Sequence, residues 1–271
     1  MMGIYKKSSG SAYIAGFDLS TQLSQIYKCV GICPQYDILW GYLTVYDHLL
    51  FYARLKKSLL NKALENNTDE SAYISQIAEN FFLLEIKNKV VKNLSGGQKR
   101  LLSIAIAFIG EPKVVFLDEP TTGLDPQMRR LIWNIINKNK KNKTIVLSTH
   151  SMEEVEVLCD KVGILVKGRL VCVDSPSKIK HIYGKQYHVT INCNPNNLHR
   201  TSQFIEDIIP NNSTVIDSSS NGKTWRVSSS PGIIPNVYKQ ISSRKSDLYI
   251  DDWGINQSTL EDTFISIVSQ K

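Results

Sequence analysis

Short apolar runs alternate with helical patterns between residues 113 and 166, and this alternation limits the possible folds more than any other feature of the chain. The runs "KVVFL", "TIVLS" and "VGILV" at 113–117, 144–148 and 162–166 have the length and composition of buried strands. The segments between them, "PQMRRLIWNIINKN" and "SMEEVEVLCDK", space their apolar residues as helices that cover a sheet do. Strands separated by helices predict a parallel sheet with right-handed crossovers. After the last of these runs, "VKGRLVCV" is predicted to turn back at Lys167–Gly168 into a hairpin. The run "YKCVGIC" at 27–33 is predicted to add another strand.

A helical segment is predicted to interrupt this pattern between residues 43 and 110. Thr44 and Asp47 carry the signature of a capping box at the start of "TVYDHLLFYARLKK". After a polar link, "NKALENNTDES", the run "AYISQIAENFF" gathers its apolar residues on one helix face. The last helix of the segment is predicted to begin at Ser95 and to end at Gly110, with Pro112 just beyond.

From about residue 186 the pattern changes to short strands and helices in the order βαββαβ, followed by a final helix. "YHVTINC" alternates as a strand, and "STVID" and "TWRVS" flank the hairpin-turn signal Asn221–Gly222. "IIPNVYKQI" and "STLEDTFISIV" have helical spacing, and "DLYIDD" reads as a strand. This order predicts a small ferredoxin-like α+β domain.

Composition supports a globular protein and argues against several other classes. Hydrophobic residues make up 42% and charged residues 21% of the 271 residues. No apolar run approaches the roughly 18 residues that a membrane-spanning helix needs. The net charge of +7 is spread over Lys/Asn-rich turns such as "NKNKKNK", without an arginine-rich helix, so a charged surface is favoured over nucleic-acid binding. The five scattered cysteines are expected to be free thiols and not zinc ligands.

Two adjacent carboxylates end the strand-like run "VVFLDEP". The carboxyl ends of strands in an open parallel sheet are where such sheets place their ligands. Asp118 there could bind Mg²⁺, and Glu119 could orient and deprotonate an attacking water. Gln35 and His150 also follow predicted strands, but each by itself says little about function.

A second signal is "LSGGQ" at 94–98, which places a serine and two glycines at a helix start. Free amides and the positive end of the helix dipole can bind a phosphate there. One serine would suffice as a cap, whereas Gly96 and Gly97 cost helix stability, so their presence favours close approach of a phosphate. Asp125 in "GLDP" could simply cap the helix that begins at Pro126.

Taken in chain order, "CPQ", "LSGGQ", "FLDEP", "GLDP" and "STH" resemble the nucleotide-binding domain of ABC transporters. The resemblance covers nearly the whole chain. "SGSAYIAGFDL", "STHSMEEVEVLCDKVGILVKGRL" and "SPSKIKHIYG" are most similar to the A subfamily, the large eukaryotic lipid exporters. It implies a P-loop NTPase (ABC ATPase) α/β domain over residues 1–185, incomplete at its amino end, with 43–110 as a helical signature subdomain. Residues 186–271 would be the regulatory domain that follows in this subfamily.

The resemblance implies roles for the residues at the strand ends, with ATP and Mg²⁺ as cofactors. Gln35 would sense Mg²⁺ and couple the site to the membrane domain. Asp118 would bind Mg²⁺, and Glu119 would be the catalytic base. His150 would be the switch histidine that contacts the γ-phosphate.

It also implies that the site is completed by a second nucleotide-binding domain. Ser95, Gly96 and Gly97, together with Gln98, would contact the γ-phosphate of ATP bound to that opposite domain. Asp125 would make a contact across the pair. The other implied partners are transmembrane domains and a lipid-like substrate, and no nucleic acid is expected. The domain would therefore lie on the cytoplasmic face of a membrane as part of a transporter.

The family's phosphate-binding loop, G-x-x-x-x-G-K-[ST], is missing from the sequence. Gly222, Lys223 and Thr224 match its end, but they lack the first glycine and lead into a strand-like run. Losing three or more charge-assisted bonds of that loop would weaken ATP binding by roughly a thousandfold. The chain by itself is therefore expected to be inactive. It is expected to be a fragment of a longer transporter, because the P-loop should precede "SGSAYIAGFDL".

Alternative functions remain open at the level of the sequence. The chain could be a catalytically inactive remnant that regulates a partner. It could be a non-transport ABC ATPase that acts on ribosomes or DNA, which its basic charge would suit. A plain binding module would leave the pairing of "LSGGQ" with "FLDEP" unexplained.

Overall fold

A computed structural model describes residues 7–60, 70–184, 186–210, 213–228 and 232–269. It consists of two compact units, Met1–Leu158 and Cys159–Lys271. The predicted domain boundary lies further along the chain, between residues 185 and 186, and it stays a prediction. No helix in the described part of the chain combines the length and the apolar character needed to span a membrane.

The first unit contains strands and helices in mixed order. Its strands are β1 Tyr13–Ile14, β2 Phe17–Asp18, β3 Val30–Cys33, β4 Val114–Asp118 and β5 Thr144–Ser148. Its helices are α1 Leu23–Cys29, α2 Val45–Leu60, α3 Glu70–Asn80, α4 Gly96–Phe108, α5 Pro126–Asn139 and α6 Met152–Leu158, with short 3₁₀ turns at Leu84–Ile86 and Val91–Asn93.

The predicted parallel sheet is confirmed for three strands, in the order β3-β4-β5. Val30 pairs with Val114 and Val114 pairs with Thr144, so the three strands run in register. Asp118 pairs with Ser148 at the last position. The carboxyl ends of the strands therefore meet at one edge, and the residues that follow them are brought together.

The prediction of a strand over 27–33 is wrong in its first half, because residues 27–29 belong to α1. Nζ of Lys56 in α2 donates to the carbonyl oxygens of Tyr27 and Val30, at 3.0 and 2.6 Å, and satisfies acceptors at the end of the helix. The strand that remains passes close to α4, since a Cβ on Gly31 would lie 1.7 Å from the carbonyl oxygen of Ala107.

The helical segment has the predicted capping groups. The backbone amide of Thr44 donates to Oδ2 of Asp47 at 2.9 Å, and the amide of Asp47 donates to Oγ1 of Thr44 at 3.1 Å, which confirms the capping box of α2. Ile74, Ile77 and Ala78 of α3 are buried as predicted. Most of the predicted polar link, residues 61–69, lies outside the described residues.

The second unit begins with a hairpin and continues into a four-stranded sheet. Its strands are β6 Val162–Val166, β7 Arg169–Asp174, β8 Gln186–Cys193, β9 Thr214–Ser218, β10 Gly222–Ser228 and β11 Ile250–Gln257. Its helices are α7 Pro176–Tyr183, α8 Pro195–Ile208, α9 Ile233–Arg244 and α10 Leu260–Ser269.

Strand β6 forms as predicted, but the expectation that it extends the parallel sheet is not met among the described residues. It pairs antiparallel with β7, which confirms the hairpin predicted at Lys167–Gly168. Lys167 and Gly168 between the two strands both have positive φ, 49° and 77°, which suits a tight turn between adjacent antiparallel strands. Alternation of strands and helices cannot tell whether consecutive strands are neighbours, and here the local turn supplies the hydrogen-bond partner.

The sheet of the second unit has the order β11-β8-β10-β9, and all neighbouring strands are antiparallel. Trp225 of β10 is buried in a core with residues of the same sheet and of α8 and α9, including Val189, Ile205 and Val237. The turn predicted at Asn221–Gly222 is confirmed, because it joins β9 to β10. The Gly-Lys-Thr match therefore lies in a strand, where a Cβ on Gly222 would be 2.3 Å from Oδ1 of Asn192.

Candidate functional site

The edge formed by the carboxyl ends of β3, β4 and β5 gathers four of the predicted site residues. Gln35 follows β3, Asp118 is the last residue of β4, Glu119 comes next, and His150 follows β5. All four lie within the first unit. The parallel register of the strands explains why residues as far apart along the chain as Gln35 and His150 lie at one edge of the sheet.

Asp118 presents an exposed carboxylate at this edge. The hydroxyl group of Ser148 on β5 donates to its Oδ1. The same hydroxyl oxygen accepts from the backbone amide of Glu119 at 3.2 Å. Ser148 therefore orients both acidic residues from the neighbouring strand, a role that the sequence did not suggest.

Glu119 has an unusual backbone conformation, with φ 48°. A positive φ is uncommon for a residue other than glycine and marks a position whose surroundings hold the backbone in place. Its amide donates to the carbonyl oxygen of Ser148 at 3.0 Å. Oγ1 of Thr122 donates to its Oε2 at 2.5 Å, so the side chain is oriented as well.

The carboxylate of Glu119 also contacts the predicted switch histidine. Nδ1 of His150 lies 2.7 Å from Oε2 of Glu119. An ionised carboxylate can only accept hydrogen bonds, so the ring must donate from Nδ1. Nε2 is then left for another partner, and the side chain of His150 is 73% exposed. The pair therefore offers an oriented acid and a ring nitrogen open to a ligand.

Arg100 is buried beneath this edge, and sequence reasoning missed it. It follows "LSGGQK" in α4 and is 4% exposed. Its guanidinium group donates to backbone carbonyl oxygens of Pro34, Gln35, Asp118, Glu119 and Pro120. An arginine at the start of the apolar run "LLSIAIAF" was the signal in the sequence, because a charge is rarely buried without partners.

Gln35 takes part in the described hydrogen bonds through its backbone carbonyl, which accepts from Arg100 at 3.2 Å. Gln35 is exposed to solvent. Two residues on, Oδ1 of Asp37 accepts from the hydroxyl of Ser103 in α4 at 2.7 Å. The segment after β3 is therefore held by its backbone and by Asp37, which leaves the side chain of Gln35 exposed to solvent.

The signature residues form the start of α4. The hydroxyl of Ser95 accepts from the amide of Gln98 at 3.2 Å, and the side-chain oxygen of Gln98 accepts from the amide of Ser95 at 3.1 Å. This capping box accounts for Ser95 and Gln98 structurally. A Cβ on Gly97 would meet Met128 of α5 at 2.8 Å, whereas one on Gly96 would meet nothing within 4 Å. Packing therefore explains Gly97 but not Gly96.

Asp125 caps α5, because its Oδ1 accepts from the amide of Met128 at 2.9 Å. This is the structural role that its position before Pro126 allowed. Asp125 is also exposed, so the cap does not bury it. Glu154 of α6 is a second acidic residue near this segment: it is fully buried, and its Oε1 accepts from Thr121 and from the indole nitrogen of Trp133.

The oxygen atoms at this edge suit a metal ion that takes most of its ligands from a bound substrate. Across the described residues, no group of three or more His, Cys, Asp or Glu side chains could hold a metal ion alone. None of the five cysteines, all of which lie in the described residues, is in a disulfide. Oxygen donors from a carboxylate, a hydroxyl and an amide match Mg²⁺, which is commonly held by one or two carboxylates plus substrate phosphates.

Comparisons with known proteins agree with these features. The ABC transporter family model matches residues 1–122. ABC transporter A family member 8 from Arabidopsis thaliana is 39% identical over 270 residues, covering 98% of this chain and 29% of the relative. A family members 7 and 10 from the same plant are each 38% identical, over 99% of this chain and 28% and 29% of their own lengths. This chain thus spans less than a third of the length of these relatives, and it belongs to the ABC transporter family as a nucleotide-binding domain of the A-family type.

Proposed function

We propose that this chain forms the ATP-binding and ATP-hydrolysing part of an A-subfamily ABC transporter, with Mg²⁺ as the metal cofactor. The observation that carries the proposal is the pair formed by Glu119 and His150, with 2.7 Å between Oε2 and Nδ1, beside Asp118 at one sheet edge. The proposed cargo is a lipid-like molecule, which rests on the subfamily resemblance of the sequence. The proposed place of action is the cytoplasmic face of a membrane.

The proposed metal ligands fit the geometry of the edge. Asp118 is exposed and keeps its carboxylate oriented through Ser148, so it can bind Mg²⁺ directly or through a water molecule. The exposed Gln35 can supply an amide oxygen to the same region. When bound, Mg²⁺ would neutralise charge on the phosphate groups of ATP and orient them.

Glu119 is the proposed general base. Its carboxylate is held by Thr122 and His150, and its backbone is held in one conformation by Ser148. A carboxylate that is already oriented can position a water molecule and accept its proton without first rearranging. The free Nε2 of His150 is proposed to contact the γ-phosphate, for which the ring must carry a proton on that nitrogen as well.

Ser95, Gly96 and Gly97 are proposed to bind the γ-phosphate of ATP held by a second nucleotide-binding domain. The N-terminus of α4, with its free amides, attracts anions. The open space at Gly96 supports this role, since no packing contact requires a glycine there. Gln98 is proposed to support the loop through the capping box, and the exposed Asp125 is proposed to contact the second domain.

The transmembrane domains are the other proposed partner. Tyr36, Ile38 and Tyr42 follow Gln35 and are 78%, 71% and 86% exposed. Trp40 between them packs edge to face against Phe51 of α2, with 5.1 Å between ring centroids. A run of exposed aromatic and apolar side chains next to a site residue favours a protein partner at this surface. A helix of the membrane domain seated here would link its movement to Gln35.

Residues 186–271 are proposed to be a ferredoxin-like regulatory domain. The order βαββαβ with the sheet order β11-β8-β10-β9 supports that fold, because each crossover skips one position in the sheet. The domain has its own core around Trp225. Its regulatory role rests on the resemblance of "STLEDTFISIV", which forms α10, to the closing helix of the subfamily's domain.

ATP turnover tests the proposed function. The complete transporter that contains this chain should hydrolyse ATP in the presence of Mg²⁺. So should a chimera in which this chain replaces the matching segment of A family member 8. Residues 1–271 alone lack a P-loop and should not bind ATP at physiological concentration. An inactive chimera that still assembles would contradict the proposed function and favour a regulatory remnant. Tight, Mg²⁺-dependent binding by residues 1–271 in calorimetry would instead contradict the expectation that ATP binding needs the P-loop.

A further inference from the structure

Arg100 links three segments of the first unit through one buried side chain. Nη1 donates to the carbonyl oxygens of Pro34 and Gln35, at 2.7 and 3.2 Å. Nη2 donates to those of Asp118 and Glu119, at 2.7 and 2.9 Å, and Nε donates to that of Pro120 at 2.9 Å. The side chain thus joins α4 to the segment after β3 and to the segment after β4.

The geometry of these contacts requires a guanidinium group. Arginine presents five N–H donors in a planar fork, whereas the ammonium group of lysine is a compact point charge. A buried charge is costly unless hydrogen bonds compensate it. Here backbone carbonyl oxygens supply most of them, and the carboxylate of Asp37 lies 3.4 Å from Nη1. These hydrogen bonds therefore form only when the backbone segments after β3 and β4 are correctly placed, and the Arg100 side chain in turn keeps the two segments in place.

The hydrogen bond from Arg100 matters most at Glu119. Its φ of 48° is unfavourable for a residue with a side chain, so other contacts must maintain it. The amide of Glu119 is bound by Ser148 of β5, and its carbonyl oxygen is bound by Arg100 of α4. Both backbone polar groups are thus fixed from different elements, and the carboxylate is left pointing toward His150.

We infer that Arg100 is a positioning residue that holds Gln35 and the Asp118–Glu119 pair at a fixed separation and in the conformation that hydrolysis needs. The inference rests on the proposed function, since it names the residues that ATP hydrolysis would use. The hydrogen bonds of the Arg100 side chain among the described residues go to backbone carbonyls and to Asp37, so it acts through its neighbours. Movement of one segment would be transmitted to the other through this side chain.

Thiol labelling tests the positioning role without ATP. Cys33 is buried at the end of β3, directly before Pro34, and burial raises the pKa of its thiol to about 12. The thiolate is the reactive form, so Cys33 should react slowly with iodoacetamide while the segment is held. Cys193 is buried in the second unit and serves as an internal reference in the same molecule. Peptide mapping by mass spectrometry would give both rates in the chain of residues 1–271.

Arg100→Lys and Arg100→Gln should raise the labelling rate of Cys33 by about tenfold or more, because the segment after β3 opens locally more often. Labelling of Cys193 should not change. Arg54→Lys is the matched control, because Arg54 makes an exposed ion pair with Glu70 in the helical segment and should leave both rates unchanged. An unchanged rate at Cys33, or a rise at both cysteines in both Arg100 variants, would overturn the inference, since Arg100 would then be dispensable or needed for the whole fold.

Turnover of the complete transporter gives the second measurement. Arg100→Lys should lower kcat by about 10- to 100-fold with little change in KM for ATP, because misplacement of the base affects the chemical step. A rise in KM without a loss of kcat would overturn the inference. Failure of the proposed function looks different: the complete transporter would then show no Mg²⁺-dependent ATP turnover, whereas the labelling experiment would still report on Arg100.

Discussion

Oε2 of Glu119 and Nδ1 of His150 lie 2.7 Å apart, although the two residues follow different strands. The contact orients the carboxylate and leaves Nε2 of the ring free. Because β4 and β5 are parallel and in register, the two strand ends deliver both side chains to one place.

Glu119→Gln should reduce ATP turnover of the complete transporter by about 10²- to 10⁴-fold and leave ATP binding largely intact. The amide keeps the size of the side chain but cannot accept the proton of the attacking water. Steady-state hydrolysis and nucleotide binding would be measured on the same preparation. Glu111→Gln is the matched control, because that carboxylate is exposed at the opposite end of β4. Unchanged turnover in Glu119→Gln would mean that another residue is the base.

Asp118→Asn should weaken the dependence of nucleotide binding on Mg²⁺, because the anionic ligand position is lost. Titration of Mg²⁺ at fixed ATP concentration would show a higher midpoint. Ser148→Ala should shift the midpoint in the same direction but less, since it removes only the hydroxyl that orients the carboxylate. A midpoint that is the same in wild type and in Asp118→Asn would remove Asp118 from the metal site.

Ser95→Arg should block ATP-driven pairing of two nucleotide-binding domains and leave ATP binding by each domain unchanged. A bulky side chain at the N-terminus of α4 would fill the space proposed for the γ-phosphate. Sedimentation in the Glu119→Gln background would measure pairing. Ser95→Ala is the control for the lost cap, which costs typically about 1 kcal/mol of stability. If Ser95→Ala abolished pairing equally, the effect would come from helix stability and not from bulk.

Residues 186–271 should fold without the rest of the chain, because the core around Trp225 is built from these residues alone. The fragment 159–271 should be more stable, since α7 packs against α10 and the hydroxyl of Ser258 donates to the carbonyl oxygen of Gly184. Denaturant unfolding should be cooperative for both fragments, and Trp225→Ala should cost about 3–5 kcal/mol. Absence of a cooperative transition for 186–271 would place the domain boundary before α7.

The capping box of α2 should make a contribution to stability that depends on pH. The hydrogen bond from the hydroxyl of Thr44, and then that from its amide, lower the pKa of Asp47. A carboxyl group with a lowered pKa stabilises the fold above its unfolded value of about 4 and loses this effect as pH falls through the folded pKa. The difference in unfolding midpoint between wild type and Asp47→Asn should thus be constant above about pH 5 and shrink below pH 4. A difference independent of pH would mean that the charge has no part in the cap.

The sequence by itself determined the features that depend on neighbouring residues. The spacing of apolar residues predicted β4, α5 and β5, the capping box of α2 was visible in "TVYD", and the start of α4 was predicted at Ser95. Because residues at the carboxyl ends of parallel strands meet at one edge, Asp118, Glu119 and His150 could also be predicted to lie together. Periodicity, caps and turns act within a few positions along the chain, so a single sequence reveals them.

Only the tertiary structure decided the contacts between distant segments. Lys56 donates to the carbonyl oxygens of Tyr27 and Val30, and residues 27–29 are helical although a strand was predicted there. The hairpin of β6 and β7 was predicted from the sequence, but only the structure decided that the described parallel sheet consists of β3, β4 and β5 without β6. Arg100 meets backbone groups that are 18 to 66 residues away along the chain. These partners are set by how the elements pack in space, and the types of the residues alone do not specify which carbonyl or hydroxyl group will lie within hydrogen-bond distance.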